Sequence, residues 1–139
     1  MRNLIALLLL VSIGSCSDDP AAQRGRLVGA DGEAQLELTI TIAQTEYERQ
    51  EGLRLHGPLA EDAALLLIFP TETEVCISNA GVPFPIDILF LSADGEVLAA
   101  RPMIPANSDV PRCHPNTGMV LELRGDSLQP FNCSKLELF

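Results

Sequence analysis

Leu36–Ile42 (LELTITI) alternates apolar and polar positions without a break, the signature of a strand with one buried face. Ala30-Asp31-Gly32-Glu33 ahead of it is turn chemistry, so Leu27 and Val28 are expected to pair back as an edge. The pattern then changes period. Thr45 is followed three residues later by Glu48, a capping box, which predicts a short helix from Glu46 to Gln50 that closes near Gly52. Ala63–Phe69 (AALLLIF) is a continuous apolar run stopped by Pro70, short enough for a fully buried strand. Val75–Ser78 reads as a further short strand. Ile86–Leu91 and Val97–Arg101 flank the turn Ala93-Asp94-Gly95 as a hairpin. Pro102, Pro105, Pro111 and Pro115 mark a long irregular loop, and Met119–Leu123 and Lys135–Phe139 supply the last strands. The expected fold is mainly β: a small single-domain barrel or sandwich of short strands with one short helix.

The N-terminus does not share this pattern. Behind Arg2, residues Leu4–Ile13 form an apolar run of ten, too short for a stable membrane span and shaped like a secretory signal. The run ends in Ile13-Gly14-Ser15-Cys16, which resembles the lipobox of bacterial lipoproteins. That resemblance implies cleavage before Cys16 and lipidation of the new N-terminus, with several acyl chains giving a firm anchor. An ordinary cleaved signal with a chance cysteine is the alternative. Residues 1–15 are then the signal peptide, 16–25 a polar, lipidated tether around Pro20, and 26–139 the β domain. Ser17, where an Asp would suggest inner-membrane retention, favours the outer membrane. The expected address is the bacterial cell envelope, with the membrane as partner through Cys16 and the domain facing the periplasm.

Charge narrows the partners. Nine basic residues stand against nineteen acidic ones, a net charge of -10, which argues against nucleic acid and against adhesion to anionic lipid by charge alone. No metalloprotease, phosphate-loop, nucleophile-elbow or dinucleotide fingerprint occurs, and no cofactor is implied. Cys113-His114 with Cys76 and Cys133 is poor spacing for a metal, and none is expected. A Cys-His nucleophile pair is equally weak, because neighbouring strand residues point apart.

The order of elements resembles the DUF192 family, small mainly-β and mostly envelope proteins without an established function. Thr45, Arg49, Gly52 and Leu53 match its helix pattern, and Phe69 ends a strand as the family's buried one does. Asn79, Pro85, Asp87 and Phe90 match the segment that the family writes as Trp-Met-Lys-Asn-Thr, Pro-Leu-Asp and Phe. Asp94-Gly95 and Val120-Leu121-Glu122 match its hairpin and late strand. The family's Trp, Met and Lys are here Cys76, Ile77 and Ser78, and its Met after Gly-Leu is Arg54, so a role that rests on that lysine does not carry over. Relatives often carry cysteines in the loop that holds Cys113. On that ground a Cys76–Cys113 bridge is favoured over Cys113–Cys133, in an oxidising compartment that leaves one thiol free.

Asp87 poses the sharpest question. On its strand Ile86, Ile88 and Phe90 share one face and Asp87, Leu89 and Leu91 the other, so a carboxylate sits in apolar company. It needs partners: Arg49, backbone amides near the Pro83–Pro85 turn, or a ligand. A ligand-binding cleft is accordingly expected to gather Arg49, Asn79, Asp87, Cys113 and His114. Glu122, between Leu121 and Leu123, is expected on a solvated strand face, and His56 in a surface loop. The expected function is a binding or structural module without a catalytic residue. A small-molecule enzyme of hydrolase type with an acidic cleft, or a thiol-redox protein, stands as the alternative.

Overall fold

The computed structural model describes residues 22–128 and 132–139. The expected signal peptide, Cys16 and the first part of the expected tether lie outside the described residues. Among the described residues seven strands form one sheet: β1 (Ala22–Gly29), β2 (Ala34–Ala43), β3 (Ala63–Ile77), β4 (Ile86–Leu91), β5 (Val97–Ile104), β6 (Arg112–Arg124) and β7 (Cys133–Leu138), in the order β5-β4-β6-β3-β2-β1-β7. Every pairing is antiparallel except β2 with β3. That parallel pair needs a crossover, which the helix α1 (Glu46–Glu51) and a 3₁₀ turn (Gly52–Leu55) provide. The sheet curls into a half-barrel, so that its edges approach at one end. There Glu96 bridges to Lys135, and the Leu136 N–H donates to the Gly95 carbonyl at 2.8 Å. Gly95 permits this approach: its φ is +89, and a Cβ would stand 2.5 Å from the Leu136 oxygen.

The alternation of side chains sorts the apolar residues into two clusters, one on each face of the sheet. Leu27, Leu38, Leu66, Leu89, Leu121 and Leu136 belong to the first, which draws on strands at both ends of the order and so fills the inside of the curl. Leu53, Leu65, Leu67, Ile88, Phe90 and Val120 belong to the second, on the outer face, beneath the crossover and the loop that carries Val82 and Phe84. The capping box forms: Thr45 Oγ1 accepts from the Glu48 N–H at 3.1 Å, and the Glu48 carboxylate accepts from the Thr45 N–H at 3.0 Å.

Three expectations are corrected. β1 begins at Ala22, so the last four residues assigned to the tether, 22–25, belong to the sheet. The two strands read on either side of Pro70 are one strand of fifteen residues. Its register with β6 shifts between Ile68 and Thr73, so Pro70 sits where no ladder donor is required. The proline-rich loop is also shorter than expected. β5 runs through Pro102 to Ile104, and β6 starts at Arg112 and passes through Pro115 where the register shifts again, between Thr73 and Val75.

The Cys76–Cys113 disulfide joins directly paired positions of β3 and β6, and Cys133 is free and partly buried. Alkylation of the unfolded but unreduced β domain should therefore label Cys133 and spare Cys76 and Cys113. Labelling of all three would exclude the bridge.

Candidate functional site

On the outer face a cleft of about 430 Å³ opens between the crossover and the second half of β3. Its near wall is α1 and the 3₁₀ turn, which contribute Arg49, Gln50, Leu53 and Arg54. Its far wall is Phe69 and Thr73–Ile77, with Asn79 and Val82 closing one end and Glu122 on the sheet behind. The local fold places these groups. The positive φ of Gly52, +50, turns the chain from α1 into the 3₁₀ turn, burying Leu53 and presenting Arg54 beside Ala80. Gly52 also leaves room over the carboxyl of Glu122: a Cβ there would meet Glu122 Oε2 at 3.6 Å.

Glu122 overturns its expected place. It lies mid-sheet, paired with Leu65 on one side and Ile88 on the other, and is only 5 % exposed. No hydrogen bond reaches its Oε2 among the described residues. Burial pushes its carboxyl up to about 7, against the opposing pull of the Arg54 guanidinium. The signal that would have found it is Val120. Positions 120 and 122 share a face, and an apolar 120 in the middle of a sheet means that the face is covered.

Asn79 is 1 % exposed. Its Nδ2 donates to the Phe84 carbonyl at 2.9 Å and the Pro105 carbonyl at 3.0 Å, which ties the 78–85 loop to the end of β5. Both amide hydrogens are thereby used, and the Oδ1 left over has no partner among the described residues. Arg49 lines the cleft with its guanidinium over the Phe69 ring at 5.2 Å, while its Nη1 donates to the carbonyls of Gln44 and Ile68. Arg54 donates to the carbonyls of Ala80 and Gln50 and lies 3.7 Å from the Glu51 carboxylate.

The other expected members stand elsewhere. Asp87 pairs across the sheet with Leu123, on the inner face, so the sheet itself separates it from the cleft. It is 0 % exposed and accepts three backbone hydrogen bonds: Met103 N–H to Oδ1 at 2.7 Å, Asp126 N–H to Oδ1 at 3.1 Å and Leu128 N–H to Oδ2 at 2.8 Å. Its partners are therefore amides of the 102–104 and 125–128 segments, neither Arg49 nor the Pro83–Pro85 turn. Cys113 is consumed by the bridge, of which Cys76 is the half that lines the cleft. His114 stacks on Phe90 with ring centroids 5.7 Å apart, and its Nδ1 contacts the Pro115 carbonyl. The structure thus brings Arg49 and Asn79 together with Glu122 and Arg54.

Comparison with known proteins comes down to a family and a fold. The family model DUF192, described as "Uncharacterized ACR", matches residues 27–135. A candidate transcription regulator from Sinorhizobium meliloti 1021 superposes with a TM-score of 0.79 at 25 % identity, over 85 % of this chain and 94 % of that one. A protein of unknown function from Novosphingobium aromaticivorans DSM 12444 superposes with a TM-score of 0.75 at 18 % identity, over 84 % of each chain. Among curated proteins no match is found.

Proposed function

The chain belongs to the DUF192 family, and within that frame we propose that it is a lipid-anchored binding module of the bacterial envelope, whose outer-face cleft takes a small molecule on the periplasmic side. One observation carries the binding: two nearly buried acceptors, Glu122 Oε2 and Asn79 Oδ1, lie unpartnered in a single cleft among the described residues. Buried acceptors without donors are costly, and stable folds rarely keep two in one place without something to satisfy them. The cleft's size is within the range of small-molecule sites. The anchor is supported by the apolar run before Ile13-Gly14-Ser15-Cys16, and Ser17 supports the outer membrane.

Native mass spectrometry of the full chain, purified from its own host, tests both halves. The mature mass should include acyl chains at Cys16, and Cys16→Ser should release the protein from the membrane fraction. A small molecule should remain bound and should be lost in Ser78→Trp, which fills the cleft from its exposed rim. A mass without adduct in both proteins would reject the binding reading, and an unmodified Cys16 would reject the anchor.

A further inference from the structure

We infer that the ligand of this cleft is a small aliphatic amine, bound as its ammonium with N–H groups directed at Glu122 and Asn79. The inference rests on the binding role proposed above and adds the chemical class. Both orphaned atoms are acceptors. Asn79 cannot turn its amide round to offer a donor, because Phe84 and Pro105 hold both of its N–H hydrogens. Asn79 Oδ1 can only accept, and so can Glu122 in its ionised form, so a ligand that satisfies both must bring hydrogens of its own, which an anion without donors or a purely apolar body does not.

Charge favours a cation over a neutral donor. Four carboxyls line the cleft, Glu46 and Glu51 on α1, Glu74 on β3 and Glu122 on β6, against the two guanidiniums of Arg49 and Arg54. Both guanidiniums already donate to wall carbonyls, and Arg49 also stacks on Phe69. β4 turns only Ile88 towards Glu122, and its one charged residue, Asp87, faces the inner cluster. No fixed charge therefore neutralises Glu122 at contact distance among the described residues. Leu53, Leu67, Val75, Ile77 and Val82 supply apolar walls for a carbon chain. The missing Cβ of Gly52 leaves room beside the carboxyl, whose Oε2 is itself enclosed.

Near neutral pH part of the Glu122 population carries a proton. An arriving ammonium takes the place of that proton, which leaves to the buffer. The charge of the complex then balances as carboxylate plus ammonium.

Isothermal titration calorimetry on the mature, lipidated chain in detergent tests this with three probes: a series from ethylamine to 1,5-diaminopentane, glycerol and inorganic phosphate. At least one amine should bind, and at pH 7 it should release a fraction of a proton, read from two buffers of different ionisation enthalpy. Glu122→Gln should weaken that binding at least tenfold and abolish the proton release, and Ser78→Trp should block it. Amine binding unchanged in Glu122→Gln overturns the inference. Binding of glycerol or phosphate that Ser78→Trp blocks, with no amine bound, overturns the amine class but leaves the cleft as a site. Silence from all three probes, together with no adduct in the native mass, rejects both.

Discussion

Replacing Asp87 with alanine is expected to lower the melting temperature of the domain more than any other change to the outer or inner face considered above. The carboxylate is fully buried and accepts from Met103, Asp126 and Leu128, three amides that come from two separate segments. Met103 and Asp126 are non-glycine residues at positive φ, 53 and 73, a conformation that holds only when its surroundings enforce it. Asp87 does the enforcing. Without it the Leu128 amide is left in the core, and the strained backbone at Met103 in β5 and at Asp126 in the turn after β6 loses its anchor. The cost should be roughly 3–5 kcal/mol, by analogy with other broken charge-assisted bonds in buried settings. For a domain of this size that is a fall of about 12–20 °C. Asp87→Asn keeps the shape and can keep an oxygen for the Met103 and Asp126 amides, but it puts an NH₂ against the Leu128 donor, so part of the loss should persist. Thermal unfolding followed by circular dichroism measures both. A fall of under about 2 °C for the alanine variant would remove Asp87 from its structural role.

Asp87 also shows how far the chain can be read without coordinates. Its face was legible, because strand alternation puts it with Leu89 and Leu91, and those three lie on the inner side. Its need for partners was legible too, because a carboxylate in apolar company cannot stand alone. The partners were not. They come from residues 16 to 41 positions away, through the end of β5 and the turn after β6, and no local pattern encodes that meeting. Arg49, the cation that looked suitable, lies across the sheet and spends its donors on carbonyls.

The same limit explains the strands. The capping box at Thr45 is a contact three residues long, and it formed as read. The hairpin of β4 and β5 is likewise local. Pro70 and Pro115 look like strand breakers on their own, yet each falls at a register shift between β3 and β6, where the missing N–H is not needed. Whether a proline ends a strand depends on its neighbour's register, which is a tertiary fact. Glu122 is the counterpart in the site. A lone Glu between leucines looks solvated until the crossover and the 78–85 loop are seen to cover its side of the sheet.

That covering sets the second large effect. The folded-state carboxyl of Glu122 is raised from 4.5 to about 7, with burial as the main cause. Folded protein therefore holds a proton that unfolded chain gives up between those two values. The contribution is fully present below pH 4.5 and is lost as pH rises through about 7, so stability should fall with pH across that window. The full difference corresponds to roughly 3 kcal/mol. Glu122→Gln, neutral at every pH, should match the parent below pH 4.5 and exceed it by roughly that amount at pH 8, or about 10 °C in melting temperature. Urea unfolding at pH 4, 6 and 8 supplies the comparison. A slope that survives in the glutamine variant would assign the titration to another group. A gain at pH 8 would mean that the natural residue costs the empty domain stability at neutral pH, which is the pattern of a residue kept for what it binds rather than for what it holds. Saturating amine should then recover much of that loss in the parent and little in the variant, because only the parent presents a carboxylate for the ammonium to meet.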